Sequence, residues 1–482
     1  MRSTLISGLV LLGFVALVAP VAKLRFNSHA QPPAPPASVI PAAQTQQTPR
    51  TLPQLGSLPS LPATPVPAPQ GIPQPRIEPT SFNTNSSQTA QTSAQNSPPV
   101  AINPNMPGWA GRLEKDRANL APLTRQMLLT TRRGADWLAR MNGVKGLFSP
   151  GIEPAVREES TDTGWLGQIS AAWSLNRAAQ AFGDQKYEAR ALQAMLCALE
   201  ETTPDPTDPK ARHTSVPQFI LPRIQGTALL ALALVDQPSP PSDMLNRSEE
   251  MVNYLRRESQ EELISKTPAN PPANLSAQRY LVAYTLLKSN KHRPANWKLE
   301  LTASLLESAK GPTSAQAQPW QGLALAEWSR TQGDRQAAAR LFAACDELAH
   351  WQQTKIDAAH PRQLGGFQPP VPSGNLPAGT LLPPPTTAIS APILLTLAEA
   401  ATLSREMGDA TLNQSLMETI DRGTQFLAQH QYTESTTQHF AEWYRPLLEG
   451  GFRDTQRGGT LSLATQQMAL VAMLQSLRAS AP

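Results

Sequence analysis

The sequence is poor in the residues that carry most recognisable chemistry. It has two cysteines, Cys197 in QAMLCALEE and Cys345 in LFAACDELA. Neither lies at metal-ligand or redox-motif spacing, and both sit inside helical apolar patterns, so they read as small core residues rather than as a disulfide or a thiolate site. Charge is sparse as well. The 41 basic and 37 acidic side chains leave a net charge of +4, and no Lys/Arg run carries interleaved aromatics, which argues against nucleic acid as a partner. No metal-ligand spacing, nucleotide-binding loop or nucleophile elbow occurs, so neither a metal nor a cofactor is indicated.

Proline is what the chain has in excess, 48 of its 482 residues, and it is unevenly spread. The chain begins MRSTLISGLVLLGFVALVAPVAKLRF, a short positive start followed by an apolar run from Leu5 to Ala22. That suits a secretory signal or a membrane anchor, within residues 1–30. A small-x-small cleavage site exists at Ser28-His29-Ala30, farther from the run than is usual, while Lys23 and Arg25 flank the wrong side for a strong anchor. Export is expected on both readings, with membrane contact through this segment if it is uncleaved. Residues 31–105 are rich in Pro, Ser, Thr and Gln and carry charge only at Arg50, Arg76 and Glu78. They bury too little apolar surface to offset chain entropy and are expected to form a disordered, partly polyproline tether.

From residue 106 to 482 the pattern changes to long segments with apolar residues three and four apart, rich in Ala, Leu and Gln and without strand-like alternation, so an all-α domain is expected. Gly183-Asp184, Gly333-Asp334 and Gly408-Asp409 share one punctuation: glycine stops one helix and Asp caps the next, the mark of a tight helical hairpin. The second interval is about half the first, as if an intervening copy had lost its marker. Six first helices are expected near Trp165–Phe182, Arg223–Val235, Leu275–Lys288, Trp320–Gln332, Ala388–Met407 and Leu461–Leu477. Their partners fall near Pro122–Met141, Lys186–Glu200, Asp243–Arg257, Pro294–Ser308, Arg335–Gln353 and Leu412–Gln429. The first set carries runs such as TALLALALV, apolar nearly all round as in buried helices; the second is amphipathic, as in MVNYLRRESQEELIS. Two alternating sets of six suggest a closed ring with one set inside.

This pattern resembles the (α/α)6 toroids, shared by terpenoid cyclases, prenyltransferases and six-hairpin sugar-acting enzymes. GLF at Gly146–Phe148 and GGF at Gly365–Phe367 and Gly450–Phe452 look like degenerate prenyltransferase or squalene-cyclase repeats, in which a glycine turn and an aromatic plug precede an inner helix. The resemblance speaks to fold far more than to activity. The acidic Asp-x-Asp-Asp run of hopene-type cyclases is absent, and Cys345-Asp346, the one Cys-Asp pair, lies in a helical apolar pattern unsuited to a prenyltransferase zinc. A tetratricopeptide array is the alternative fold, on one repeat-like stretch, LALAEWSRTQGDRQAAARLFAACDELA.

The connections Asn142–Gly164, Glu201–Pro222, Ile264–Asn274, Ile356–Thr387 and Gln431–Thr460 are long and, in an alternating ring, share the end carrying the inner-helix N-termini. They bring Arg157, Arg212, Arg223, Arg362, Arg445, Arg453 and Arg457 to that mouth, which suits an acidic or polyhydroxylated ligand; the alternative is that these arginines pair with carboxylates of the same loops. Sugar-cleaving or epimerising chemistry needs paired carboxylates, or a carboxylate with His or Tyr. The stretch QYTESTTQHFAEWYRPLLEGGFRD supplies His439, Glu442, Tyr444, Glu449 and Asp454 as candidate catalytic groups. Arg445, Arg453, Arg157, Asp162, Arg362 and Trp165 are candidate ligand contacts. Glu158 and Glu159 read equally as solvated loop charges, Asp162 as an N-cap, and His213 and His360 as bonded loop histidines. A glycan, or another polar or anionic molecule, is the expected ligand, bound with or without turnover. Limited proteolysis is expected to trim the chain to a resistant fragment beginning near Asn105; early cleavage within 122–480 instead, read by mass spectrometry, would contradict this division.

Overall fold

A computed structural model describes residues 108–159, 164–218, 220–265, 272–357, 360–370, 383–455 and 458–481. The expected export segment, tether, Asp162 and Arg457 lie outside the described residues. A short helix α1 (Trp109–Lys115) precedes α2 (Pro122–Met141). Then come α3 (Trp165–Phe182), α4 (Gln185–Glu200), α5 (Arg223–Val235), α6 (Ser242–Glu258), α7 (Ala273–His292) and α8 (Asn296–Ser308). They are followed by α9 (Trp320–Gln332), α10 (Arg335–His350), α11 (Thr387–Glu406) and α12 (Ala410–His430). Two one-turn helices, α13 (Glu434–Thr437) and α14 (Arg445–Leu448), lead to α15 (Leu463–Ser480).

The apolar helices close on one another: α15 packs on α3, α3 on α5, α5 on α7, α7 on α9, α9 on α11, and α11 back on α15. Each inner helix also packs on an amphipathic outer partner, α4, α6, α8, α10 and α12 for the five consecutive hairpins. The sixth pair joins the chain's two ends, with α2 against α15. The molecule is an (α/α)6 toroid. Its closure removes the open tetratricopeptide reading, because a solenoid contacts only successive repeats.

The Gly-Asp marks act as expected. Gly183 and Gly333 end α3 and α9 at φ 68° and 65°, and Gly408 follows α11 at φ 78°. The next Asp accepts a backbone N–H in each case: Asp184 from Lys186, Asp334 from Gln336 and Ala337, and Asp409 from Leu412. Two hairpins rather than one separate Gly183 from Gly333. The first turns through a proline-rich segment into Pro241 as N-cap, and the second through Arg293 into Ala295.

The glycine-aromatic turns form one structural unit used three times. At the end of an outer helix a side-chain amide, Asn142, Gln352 or Gln431, donates to the carbonyl of Gly146, Gly365 or Gly450. The aromatic two residues after that glycine, Phe148, Phe367 or Phe452, bridges back to the same amide residue's backbone. Its own N–H is taken by the coming inner helix, at Gln168, Ser390 or Gln466. Each glycine also lies against the backbone of the next outer helix, at Gln193 of α4, Arg422 of α12 or Arg133 of α2. The turn therefore ties one hairpin to its neighbour as well as plugging the ring.

Strand is present after all, in pieces of two or three residues too short for alternation to register. β1 (Gly151–Glu153) pairs antiparallel with β2 (Glu158–Glu159), and β3 (Thr202–Pro204) with β4 (Arg212–Thr214). β5 (Leu461–Ser462), expected as the first turn of the last inner helix, pairs antiparallel with β1. The first and last return connections are thereby joined at the mouth. Cys345 is buried as expected, whereas Cys197 is only half-buried.

Gly450 shows what this architecture costs in sequence freedom. Its φ is 94° and a Cβ there would stand 2.4 Å from the Arg133 carbonyl oxygen, whereas a Cβ on Gly333 would meet nothing within 4 Å. Gly333→Ala is expected to lose about 1–2 kcal/mol from the left-handed backbone alone. Gly450→Ala should lose at least about 2 kcal/mol more, because two backbones must part. Equal losses in denaturant titrations of the two variants would show that the close approach is not stabilising the ring.

Candidate functional site

The last return connection, Gln431 to Thr460, holds most of the candidate residues, and much of its chemistry is consumed in holding the ring shut. Trp137 of α2 donates its indole N–H to the Leu447 carbonyl at 2.8 Å, and Arg140 reaches the Pro446 and Glu449 carbonyls at 3.2 and 2.5 Å. The Glu449 carboxylate accepts from Thr437 at 3.0 Å. Asp454 accepts from Ser462, the N-cap of α15, and from Thr465, while its backbone carbonyl takes the Thr387 N–H at 2.9 Å. It thus pins the starts of two adjacent inner helices.

The arginines bond to carbonyls rather than to the loop carboxylates. Arg445 donates to the Phe440 and Gln438 carbonyls. Arg453, nearly buried, donates to His430 and Gln429 at the C-terminus of α12 and lies 5.1 Å over the Tyr432 ring. Both are cations satisfying helix-end or turn acceptors. Of the other mouth arginines, Arg212 pairs with Glu250 at 2.9 Å, and Arg362 is exposed in the turn Pro361–Gln363. Trp165 opens α3 half-buried, its ring beside Gly226 of α5. His213 is buried against Tyr254 with its Nδ1 at 2.8 Å from the Thr214 carbonyl.

Part of the surface of this connection is aromatic. His439 stacks on Phe440 with ring centroids 4.1 Å apart, Phe440 lies 5.9 Å from Tyr444, and Trp443 stands edge-on to Tyr444 at 5.4 Å. Trp443 is 68% exposed and Glu442 beside it is exposed, whereas Tyr444 is buried, its hydroxyl without a hydrogen-bond partner among the described residues. Burial pushes the Tyr444 pKa up, against the pull of the nearby Arg157 guanidinium.

A second polar cluster lies inside the ring, toward the C-terminal ends of the inner helices and away from the expected mouth. Asp236, just past α5, accepts from the Trp173 indole at 2.9 Å and pairs with Lys288 of α7 at 2.7 Å and Arg177 of α3 at 3.4 Å. Arg177 also reaches the Tyr284 hydroxyl at 3.3 Å and Glu399 of α11 at 3.9 Å. Arg330 of α9 pairs with Glu399 at 3.1 Å, and Lys291 with Glu327 at 2.5 Å. Burial alone would raise the Asp236 and Glu327 pKa values, but Lys288 and Arg177 on the first and Lys291 and Lys288 on the second outweigh it and hold both below the usual range. Carboxylates kept ionised by cations are suited to structural pairing rather than to proton donation. Immediately along the axis, Trp173 meets Trp320 from the opposite side of the ring, with centroids 5.6 Å apart. Both rings are buried, so this pair spans the axis beside the ion network. Among the described residues no three of His, Cys, Asp or Glu gather as a metal-ligand set.

No protein-family profile matches the chain. No curated protein sequence matches it. Solved structures do. A glycosyl hydrolase family 88 protein from Bacteroides vulgatus matches 74% of this chain and 99% of its own at 12% identity, with a TM-score of 0.51. An inactive variant of an α-1,6-mannanase from Salegentibacter sp., in complex with α-1,6-mannotetrose, matches 75% of this chain and 100% of its own at 10% identity, with a TM-score of 0.50. At these identities the likeness establishes the six-hairpin toroid fold.

The last return connection, where it leaves α12, also carries a pH dependence. His430, the last residue of α12, is buried with its ring 4.2 Å from that of Phe426 and its Nδ1 at 2.9 Å from the Phe426 carbonyl. Burial first, then Arg453 and Arg362, push its pKa down to about 4. Above pH 6.5 it is neutral in both folded and unfolded chains. As pH falls from 6.5 to 4, the unfolded chain takes a proton that the folded one refuses, and stability drops by roughly 3 kcal/mol. His430→Gln is expected to flatten this part of the profile relative to wild type; denaturation midpoints that fall equally in both proteins would remove His430 as the cause.

Proposed function

We propose that this protein is an exported toroid, held off a membrane by its proline-rich N-terminal stretch, that binds envelope or extracellular glycans at its mouth without cleaving them. The observation that carries the reading is the fate of the carboxylates. Glu449 and Asp454 are bonded into the ring closure, and the axial Asp236, Glu327 and Glu399 each face a lysine or an arginine. Glycoside cleavage by two carboxylates needs a pair about 5–10 Å apart flanking an open subsite, one of them able to hold a proton. The Trp173 and Trp320 rings occupy the axis where such a subsite would open. Exposed aromatic surface at the mouth fits stacking against pyranose rings.

A hydrolase, lyase or epimerase is the second reading, favoured by one observation: the fold matches a glycosyl hydrolase family 88 protein and an α-1,6-mannanase. Fold alone does not transmit chemistry, since activity resides in the site built on it.

The test is a screen of residues 106–482 against neutral and acidic polysaccharides, including α-1,6-mannan, measuring binding by affinity electrophoresis and turnover by reducing ends and product analysis. Retarded migration without product is the expected result. Product formation above an unbound control would establish the enzyme instead, and no retardation by any polysaccharide would sink the glycan reading.

A further inference from the structure

Two cavities between outer elements of the ring differ in how their polar groups are used. One, of about 160 Å3 between α8 and α10, is lined by groups that already answer one another: Lys310 bonds Glu307, the Trp328 indole donates to Asp334, and Arg340 donates to the Leu306 carbonyl. The other, of about 250 Å3, lies at the seam of the ring. Its lining includes Arg125, Leu129 and Arg133 from α2, Ala428 from α12, and Gln431 and Thr433 from the start of the last return connection. No carboxylate lines it.

Arg125, Leu129 and Arg133 recur every four residues, so they share one face of α2, with the two arginines about 12 Å apart along the helix axis. Arg125 is partly committed, its Nη2 donating to the Ala118 and Leu120 carbonyls at 2.9 and 3.2 Å. Arg133 is exposed, and its guanidinium has no hydrogen bond or ion pair among the described residues. Gln431 is 1% exposed, and its amide nitrogen is held between the Thr130 and Gly450 carbonyls at 2.9 Å each. That pairing fixes which way the amide faces, and it leaves the Gln431 Oε1 buried with no donor among the described residues. Such an oxygen is costly to leave unsatisfied. Ring closure therefore uses the nitrogen of Gln431 and the backbone of Arg133, but neither the Gln431 oxygen nor the Arg133 guanidinium, and both side chains line one cavity.

We propose that this seam cavity is a binding site for a uronate unit of an acidic glycan. The Arg133 guanidinium pairs with the sugar carboxylate, a sugar hydroxyl donates to the Gln431 Oε1, and Leu129 and Ala428 meet the apolar C–H surface of the ring. This rests on the glycan-binding reading, and it adds a contact along the seam and narrows the ligand to acidic sugars. A single free guanidinium matches a carboxylate through two parallel hydrogen bonds, a geometry lysine does not offer. Phosphate recognition instead draws on clusters of arginines. Pockets for drug-sized ligands run from about 300 to 1,000 Å3, so a cavity of about 250 Å3 suits one sugar unit rather than a longer segment.

The full-length protein in detergent solution tests this by calorimetric titration with trigalacturonate, with maltotriose and α-1,6-mannan as neutral comparators and inorganic phosphate as a competitor. Wild type is expected to bind trigalacturonate at least tenfold more tightly than maltotriose, with an affinity that weakens as salt rises. Arg133→Gln should lower trigalacturonate binding at least tenfold with Tm unchanged, because its side chain holds nothing in the fold. Arg133→Lys should recover only part of that loss, since it restores the charge without the fork. Arg335→Gln, which removes an exposed cation from α10, should leave binding as in wild type. Trigalacturonate binding unchanged in Arg133→Gln would place the site elsewhere and overturn the assignment. Displacement by phosphate at the concentration at which galacturonate displaces would overturn the sugar-acid specificity. Failure to bind trigalacturonate while the neutral glycans bind would overturn this site and leave the glycan-binding reading standing, whereas binding of none of them would overturn both.

Discussion

The ring depends on long-range closure at its seam, where the last inner helix α15 packs on the first outer helix α2 and on the first inner helix α3. Five hairpins join sequence neighbours, whereas α2 and α15 are separated along the chain by the other ten ring helices. Such a contact carries a large loop-closure cost and has to be made tight to be worthwhile. The Gln431 to Thr460 connection supplies that tightness. Phe452 lies over Gly134, where a Cβ would come within 2.8 Å of its ring, and Gln431 bonds the Thr130 carbonyl at 2.9 Å. Trp137 and Arg140 then hold the same connection from the α2 side.

That requirement explains the chemistry of the loop. A segment that must satisfy the ends of α12, α15 and α11 in one place needs cations for carbonyls and carboxylates for hydroxyls and amides. Arg453 meets that need at α12 and Asp454 at α15 and α11, and a group committed to a helix end is poorly placed to act on a substrate. The stretch from His439 to Trp443 is one part of the loop that faces solvent, and it carries the exposed ring surface of this connection.

The axis tells a similar story from the inside. A ring of six inner helices surrounds a lumen, and here it is crossed by Trp173 against Trp320 and by four cation and carboxylate pairs drawn from five helices. Buried pairs of this kind are worth little net stability against an apolar filling, but losing one partner leaves a buried charge. They make the arrangement of the helices around the axis specific. The likeness to sugar-acting toroids is one of scaffold.

Much of the scaffold was legible along the chain because its causes are local. Apolar residues three and four apart make helices, glycine followed by aspartate makes a tight hairpin, and Gly-x-Phe marks a turn entering an inner helix; each cause acts within a few residues of its effect. The axial network left a fainter trace, a lone charge in an otherwise apolar helix, such as Arg177 in AAWSLNRAAQAF or Glu399 in LTLAEAA. Read one helix at a time, each is an isolated anomaly, and only the ring places them in contact. The same holds at the mouth. The sequence by itself determined the helices, their alternation and the residues able to carry chemistry. Tertiary structure decided which of those residues are consumed in closing the ring and which remain free, because that depends on pairings across some 300 residues that no local pattern encodes.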